Sequence, residues 1–184
     1  DMTKVDYVIS IIESYMKDRG LDLDNDFSEL SLEGVKQRGE NFDFGLIYGK
    51  IKDLVEKREN ALAKRSDYQN KLSALKPWKD IDVDIDKLYD SKRVFVETGT
   101  VSSQFYEQIQ KAIVERNLEK SLVYKVSEAD KTNYIVAVSS LDEKDDLIDL
   151  IREFGFSRVK INSNKRIVDE IDDLSYNLKE NQES

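Results

Sequence analysis

The side chains best suited to chemistry in this sequence are clustered carboxylates, and the densest cluster lies near the N-terminus. Asp22, Asp24, Asp26 and Glu33 occupy positions 1, 3, 5 and 12 of a calcium-binding loop, between two helix-like segments. Position 6 of such a loop needs glycine for its sharp turn, whereas this chain has Phe27 there. We therefore expect a solvated acidic loop and no tight calcium site.

Two further acidic runs have simpler explanations. DVDID at 82–86 alternates acids with apolar residues, as a short edge segment with outward carboxylates does. DEKDD at 142–146 opens a predicted helix, where carboxylates interact favourably with the helix dipole. Neither run is accompanied by a nucleophile or electrophile that would converge on it, so we assign neither to acid–base catalysis.

Gly99 is placed as a phosphate-binding glycine would be, after a predicted strand and before a predicted helix. Its surroundings, ETGTVSS, match neither G-x-x-x-x-G-K-[ST] nor G-x-G-x-x-G. We expect a flexible turn, where the backbone amides of Ser102 and Ser103 hold at most an adventitious anion. The chain has no histidine and no cysteine, and so lacks the commonest general base and thiolate ligands. We predict no catalytic residues, no cofactor and no metal.

The composition argues against two common kinds of partner. The 184 residues carry a net charge of −9 without a segregated basic run, so we expect no nucleic-acid binding. No apolar run approaches the ~20 residues that cross a bilayer, and we expect no direct membrane insertion. The first residues, DMTKVDYV, do not form a signal peptide. Because the sequence does not begin with Met, we interpret it as an excised piece of a larger protein.

A long heptad pattern dominates residues 44–75. Apolar residues alternate there by three and four, and the intervening residues are mostly charged or amide-bearing, which is typical of a coiled-coil seam. The ten seam positions are Phe44, Ile47, Ile51, Leu54, Arg58, Ala61, Arg65, Tyr68, Leu72 and Leu75. The same spacing returns at Ile167, Ile171, Leu174 and Leu178, which we expect to pack antiparallel near Leu72, Tyr68 and Arg65.

The N-terminal region is predicted to cover the other end of this seam, unless a second chain does so. An amphipathic helix over 4–18 has its apolar residues at 3–4 spacing, and Gly20 is a plausible stop. The residues at this spacing are Val5, Val8, Ile9, Ile12, Tyr15 and Met16, and the seam is predicted to be covered through Val8, Ile12 and Tyr15. A short helix near 31–39 follows.

Pro77 marks the end of the long helix, because proline cannot continue a helix and disfavours α geometry in its predecessor. Trp78 is expected to pack as an aromatic wedge at this junction, since a ligand-stacking role is the less common use of a lone tryptophan. The following residues predict strands at 93–98, 122–127, 134–139 and 156–163, with helices after the first and third strands. Ser140 and Glu143 match a capping box for the second of these helices, which Gly155 ends. This βαββαβ order predicts a ferredoxin-like lobe whose first and third strands are central.

Four segments carry a family resemblance that spans nearly the whole chain. They are VDYVISIIESY, the long helix FDFGLIYGKIKDLVEKRENALAKRSDYQNKLSALKPW, KRVFVETGTVSSQFYEQI and LIDLIREFGFSRVKI. Together they resemble the cytoplasmic N-terminal region of subunit I of the V-type (archaeal and bacterial A/V-type) ATPase or ATP synthase, the subunit a family. The pair formed by LKPW and the following Gly-Thr is the most specific.

The resemblance implies a stator role without a catalytic site, in support of proton or sodium ion transport. Family members have a proximal lobe, an antiparallel coiled coil and a distal lobe that contacts the E- and G-type subunits of the peripheral stalk. Their membrane-embedded half belongs to the same polypeptide, which implies a location at the cytoplasmic face of the cell membrane. Compared with the family, we expect this chain to lack the opening strand of the proximal lobe and most of the return helix, and to hold the distal lobe and part of the coil.

The predicted fold class is therefore α+β, a long antiparallel coiled-coil segment capped by the ferredoxin-like βαββαβ lobe. We assign 1–40 to N-terminal helices, 41–76 to the outgoing helix, 77–163 to the lobe and 164–184 to the start of the return helix. An alternative is a small-molecule-sensing regulatory module whose coil dimerises it. A third possibility, the tip of a chromosome-maintenance-like coiled coil, fits the acidic charge and short rod less well.

Overall fold

The computed structural model describes residues 2–21, 31–40, 42–89, 92–163 and 165–183. Among these residues the chain is a mixture of helices and one antiparallel sheet, which is an α+β composition. The helices are α1 (Met2–Asp18), α2 (Leu32–Glu40), α3 (Phe44–Leu75), α4 (Ile85–Tyr89), α5 (Tyr106–Glu115), α6 (Lys144–Glu153) and α7 (Ile167–Glu183). The strands are β1 (Val94–Ser102), β2 (Ser121–Ala129), β3 (Thr132–Ser140) and β4 (Ser157–Arg158).

The chain divides into two compact units, residues 1–63 and 64–184, and the boundary falls within α3. In the first unit, α1 ends as predicted at Gly20. This glycine has φ +64°, and the amides of Gly20 and Leu21 donate to the carbonyls of Lys17 and Met16. Two such bonds satisfy helix-end carbonyls in the pattern that a left-handed glycine makes possible.

Of the three residues through which α1 was predicted to cover the seam, Val8 is buried, whereas the prediction is wrong for Ile12 and Tyr15. Val8 is the buried residue of this helix, and the ring of Tyr7 meets Tyr48 of α3 edge-on, with 6.0 Å between centroids. Val5, Ile9, Ile12 and Tyr15, by contrast, are exposed. Apolar and aromatic residues extend over roughly 220° of this helix, from Tyr7 to Met2, and 3–4 spacing alone does not tell which part of such a wide face meets its neighbour.

Helix α3 has the bounds that the heptad pattern predicts. It begins after Asp43, whose carboxylate accepts a hydrogen bond from the amide of Leu46 at 3.0 Å, as a capping residue does. The seam is only partly covered. Phe44, Ile47 and Ile51 are half-buried, whereas Leu54 remains 63% exposed.

In the second unit, β1 and β3 are the central strands, as predicted, in the order β2-β3-β1-β4. All three pairings are antiparallel. Helices α5 and α6 follow β1 and β3 respectively, and their buried residues form one apolar core with the sheet. That core contains Val101, Ile109, Ile113, Leu118, Val123, Ile135, Ala137, Leu147, Leu150 and Ile151.

A second core joins the end of α3, the turn that contains Trp78 and helix α7 to sheet residues outside the first core, such as Val126 and Val136. Ile167, Ile171 and Leu174 of α7 belong to the same cluster as Tyr68, Leu72 and Leu75 of α3. The remaining buried members are Trp78, Ile81, Ile85, Val126, Val136 and Ile161. Three of the four predicted apolar positions of the return segment, all except Leu178, therefore share a core with the C-terminal end of α3.

Two predicted boundaries around β1 and β3 are wrong. Strand β1 continues through Gly99 to Ser102, so Gly99 lies within a strand and not in a turn. Ser140 belongs to β3, where it pairs with Val94, and α6 begins only at Lys144. Glu143 accordingly makes no capping bond, and its carboxylate accepts hydrogen bonds from the Lys120 amide and the Ser121 hydroxyl.

Two other segments differ from their predicted form. The last strand contains only two residues, because Phe156 packs against the first core while Val159 and Ile161 turn into the second. The run at 82–86 is not an edge segment with two inward apolar residues. Ile85 is buried at the start of α4, whereas Val83 is exposed.

Candidate docking surface

The junction between α3 and the sheet is held by the chain's proline and tryptophan. Pro77 lies in a single 3-10 turn over residues 76–78, directly after α3. Trp78 is 1% exposed and meets Tyr134 of β3 edge-on, with 5.3 Å between ring centroids. Its burial confirms the predicted packing role, since a fully enclosed indole offers no surface to a ligand.

A chain of hydroxyl groups fixes α4 and the segment after β4 to the central strand. The hydroxyls of Tyr89 and Thr98 lie 2.5 Å apart, and Thr98 donates to the carbonyl of Val159, also at 2.5 Å. The amide of Ile161 donates to the Tyr89 hydroxyl at 3.3 Å. These bonds hold both segments beside β1 although β4 itself pairs with only two of its residues.

Side chains of α5 occupy part of the free edge of β2. The amide of Ser140 donates to the carbonyl of Lys120, so the alternation of an antiparallel ladder points the backbone groups of Val123 away from β3. The Val123 carbonyl instead accepts hydrogen bonds from Gln110 at 2.7 Å and from Tyr106 at 3.3 Å. An added strand would have to displace both side chains.

The other edge carries a nearly buried carboxylate. Glu97 of β1 is 8% exposed, and its carboxylate lies 2.6 Å from the guanidinium of Arg158 on β4. The Arg158 guanidinium is largely exposed to solvent, and its positive charge compensates the negative charge of the nearly buried Glu97 carboxylate. This ion pair ties the two-residue strand to the sheet.

Helix α6 presents an acidic outer face. Asp145, Asp146, Asp149 and Glu153 are all exposed. Two cations lie close to this face. Arg116 of α5 contacts Glu153 at 2.5 Å, and Arg152 lies 3.8 Å from Asp149. Four carboxylates against two guanidiniums leave a net negative surface on this side of the lobe.

The start of α6 is tied to the start of β2 by charge. Lys120 donates from its ammonium to Asp142 at 2.7 Å. That hydrogen bond is the main reason why the pKa of Asp142 falls from its ordinary value to about 2. The pKa of Lys120 is raised by the same contact.

An open groove of about 1280 Å³ lies among α3, α4, the segment after β4 and α7. Its lysines are Lys71, Lys87, Lys160 and Lys165. Three of them already face carboxylates, as Lys71 contacts Asp67 at 2.8 Å, Lys87 contacts Asp84, and Lys165 contacts Asp173. These carboxylates offset most of the positive charge of the groove, which makes it a poor site for an anion.

The sequence drew attention to one acidic loop and one pair of backbone amides, for which no tight metal or anion site was expected. Most of the acidic loop, including Asp22, Asp24 and Asp26, lies outside the described residues. Within the described ranges, no three carboxylates are grouped closely enough to hold a metal ion. The amide of Ser103 donates to the carbonyl of Lys131 at 2.9 Å, so it is not available to an anion. None of the described helices is both long and apolar enough to span a bilayer.

Sequence reasoning missed the contacts that build this surface. The bonds of Tyr89 to Thr98 and of Gln110 to Val123 join residues whose proximity follows from the fold and has no local signal. Gly99 did stand out, but for another reason than the predicted one. A Cβ atom there would lie 2.3 Å from the Ser157 carbonyl and 2.4 Å from the Phe156 ring.

No protein-family model matches the sequence, and the curated proteins contain no match to it. Among solved structures, twenty chains match the fold. One is the crystal structure of the cytoplasmic N-terminal domain of subunit I, homolog of subunit a, of V-ATPase, at 13% identity and with a TM-score of 0.54. The match covers 98% of this chain and 59% of that chain. At this identity the likeness is one of fold, and the chain spans little more than half of its neighbour.

Proposed function

We propose that this chain is a non-catalytic stator part of a rotary V-type ATPase or ATP synthase, namely part of the cytoplasmic domain of its subunit I. The observation that carries the proposal is the fold likeness, which extends over 98% of the chain to such a domain. The motif resemblance of LKPW and the Gly-Thr that follows it supports the same family on separate grounds. In this role the chain links the membrane part, which moves protons or sodium ions, to the peripheral stalk.

The architecture suited to this role is a ferredoxin-like lobe at 77–163 that caps an antiparallel coiled coil. The strand order β2-β3-β1-β4, with α5 and α6 as connections, supports the lobe assignment. The shared core of α7 and the end of α3 supports pairing of 41–76 with 164–184. A paired helix is stiffer than a single polar helix, and a stator must resist torque.

The lobe is the part that we assign to docking on the E- and G-type stalk subunits. The acidic outer face of α6 supports this, because exposed charge of one sign steers a partner of opposite charge and fixes its register. A partner with a basic end is therefore expected. One lobe offers about 800 Å², one ordinary side of an interface. The membrane-embedded half of the same polypeptide would hold the complex at the cytoplasmic face of the membrane.

The proposal is tested by titrating the purified stalk heterodimer with this chain. Binding should be measurable and should weaken as salt rises, because exposed charges are screened within about 10 Å at 0.1 M ionic strength. Asp145→Lys combined with Asp149→Lys should weaken binding by about tenfold or more. The matched control is Asp53→Lys combined with Glu56→Lys on the exposed surface of α3, which should leave the affinity unchanged.

One pair of results would overturn the docking assignment. If this chain does not bind the stalk at high micromolar concentration while the whole cytoplasmic half does, the docking surface lies outside the lobe. Equal losses for both double variants would instead point to a general charge effect and would remove the role of α6.

A further inference from the structure

Helix α1 carries a row of apolar residues that the described part of the first unit leaves partly or largely exposed. We call it the outer stripe. It consists of Met2, Val5, Ile9 and Ile12, which are 82%, 40%, 47% and 41% exposed. Their spacing of three, four and three residues puts them on one side of the helix. Single exposed apolar residues are ordinary, but a contiguous row of four marks an interaction site.

The outer stripe adjoins the side of α1 that meets α3. Tyr7 contacts Tyr48 and Val8 is buried. Val5 and Ile12 lie within about 60° of Val8 around the helix, whereas Met2 and Ile9 lie about 100–120° beyond it. Val8 is also the one buried residue among those described in residues 1–63.

The charges beside the outer stripe decide what can cover it. With Met2 and Ile9 at heptad position a, and Val5 and Ile12 at d, the e positions are Asp6 and Glu13. Both carboxylates are exposed. The stripe thus has an acidic border along one side.

A second copy of this chain is a poor match for that border. In an antiparallel pair, e positions face each other, so Asp6 and Glu13 would meet the same carboxylates of the other copy. In a parallel pair they would face the g positions, which are Val8 and Tyr15 and carry no cation. A membrane surface also fits badly, because helices that lie on anionic lipid border their apolar face with Lys and Arg.

The geometry points to the outer stripe of α1 as the docking site of an amphipathic helix that carries basic residues beside its apolar seam. The partner's apolar side chains cover Val5, Ile9 and Ile12, and its Lys or Arg residues pair with Asp6 and Glu13. Opposite charges at such flanking positions set partner choice and orientation, while the apolar row supplies the attraction.

The test uses the full 184-residue chain and two labelled synthetic peptides of three heptads. Both have Leu and Ile at their a and d positions, and one has Lys and the other Glu at e and g, so that like charges limit self-pairing. Fluorescence anisotropy should show the Lys peptide binding at least tenfold more tightly. Ile9→Ser should weaken that binding by at least tenfold, whereas Thr3→Ser, on an exposed site away from the stripe, should not. Asp6→Lys combined with Glu13→Lys should reverse the preference between the peptides.

Four results would overturn the inference. They are equal binding of the two peptides, no binding of either, binding to phosphatidylcholine vesicles that Ile9→Ser abolishes, and a dimer in sedimentation that Ile9→Ser dissociates. The last two would assign the stripe to a membrane or to a second copy. Circular dichroism of each variant, with unchanged helix content, ensures that a loss of binding is not a loss of α1.

Discussion

The hydroxyl of Ser127 donates a hydrogen bond of 2.6 Å to the carbonyl of Pro77, across fifty residues of sequence. The helical hydrogen bonding of α3 ends at the proline. The carbonyl of Pro77 itself therefore needs a partner outside the helix, and the Ser127 hydroxyl on β2 supplies it. The register of β2 shifts between Lys125 and Ser127, and such an irregularity re-aims the side chain that follows it. The irregular strand and the proline turn are thus parts of one joint.

Ser127→Ala should therefore lower the free energy of unfolding by about 1 kcal/mol, the usual worth of one such hydrogen bond. Chemical denaturation measures this change. Ser73→Ala, at an exposed position of α3, is the control and should be neutral or slightly stabilising, because alanine is the better helix former. An equal response of the two variants would contradict the role of the Pro77 contact.

Two glycines should respond to alanine with opposite signs. Gly99→Ala places a methyl group against the Ser157 carbonyl and the Phe156 ring, so we expect a loss of about 1–3 kcal/mol from overpacking. Gly49→Ala meets no atom within 4 Å inside α3 and should stabilise by about 0.5–1 kcal/mol. Thermal and denaturant unfolding would both register the difference. If Gly99→Ala is neutral, the close approach of β4 to β1 is wrong.

Cysteines at Leu72 and Ile167 test the pairing of α3 with α7. Both residues belong to one apolar cluster, and the chain has no cysteine of its own to interfere. We expect an intramolecular disulfide under mild oxidation, seen as faster migration in a non-reducing gel. Leu72 paired with a cysteine at the exposed Tyr176 should stay reduced. A folded protein that forms no Leu72–Ile167 bridge would count against the helical hairpin.

The Asp142 carboxyl should titrate near pH 2 in an NMR pH series, because Lys120 stabilises its charged form. A depressed folded-state pKa adds stability above the ordinary value of 3.8, and that stability is lost as the pH falls towards 2. Lys120→Met should move the midpoint towards 3.8, whereas Lys111→Met on the exposed side of α5 should not. A midpoint near 3.8 in the unmodified protein would show that the Lys120 contact does not persist in solution.

The features that the sequence predicted well are those with a local cause. The bounds of α3 follow from a continuous heptad spacing, in which Arg58 and Arg65 hold two of the ten seam positions, with Asp43 before the helix and Pro77 after it. Gly155 ends α6 as predicted, with φ +75° and the paired bonds of Gly155 to Arg152 and of Phe156 to Ile151. The central positions of β1 and β3 followed from their continuous apolar runs.

The failures lie where distant residues decide the outcome. Gly99 continues a strand because β4 approaches it, and Ser140 extends β3 because Val94 pairs with it. Glu143 turns to Lys120 and Ser121 instead of capping its own helix. Nothing in a short stretch of sequence reports these partners, since each lies twenty or more residues away.

The side chains of Gln110 and Tyr106 that hold the Val123 carbonyl have a consequence for how the lobe can be recognised. A sheet edge with free backbone groups accepts almost any extended peptide, since every residue offers the same amide and carbonyl. Because Gln110 and Tyr106 occupy the Val123 carbonyl, a partner at this part of the β2 edge has to bind side chains, which differ from protein to protein. The specificity of such binding can change through single substitutions without a change of fold. It also discourages the lobe from pairing with unrelated chains.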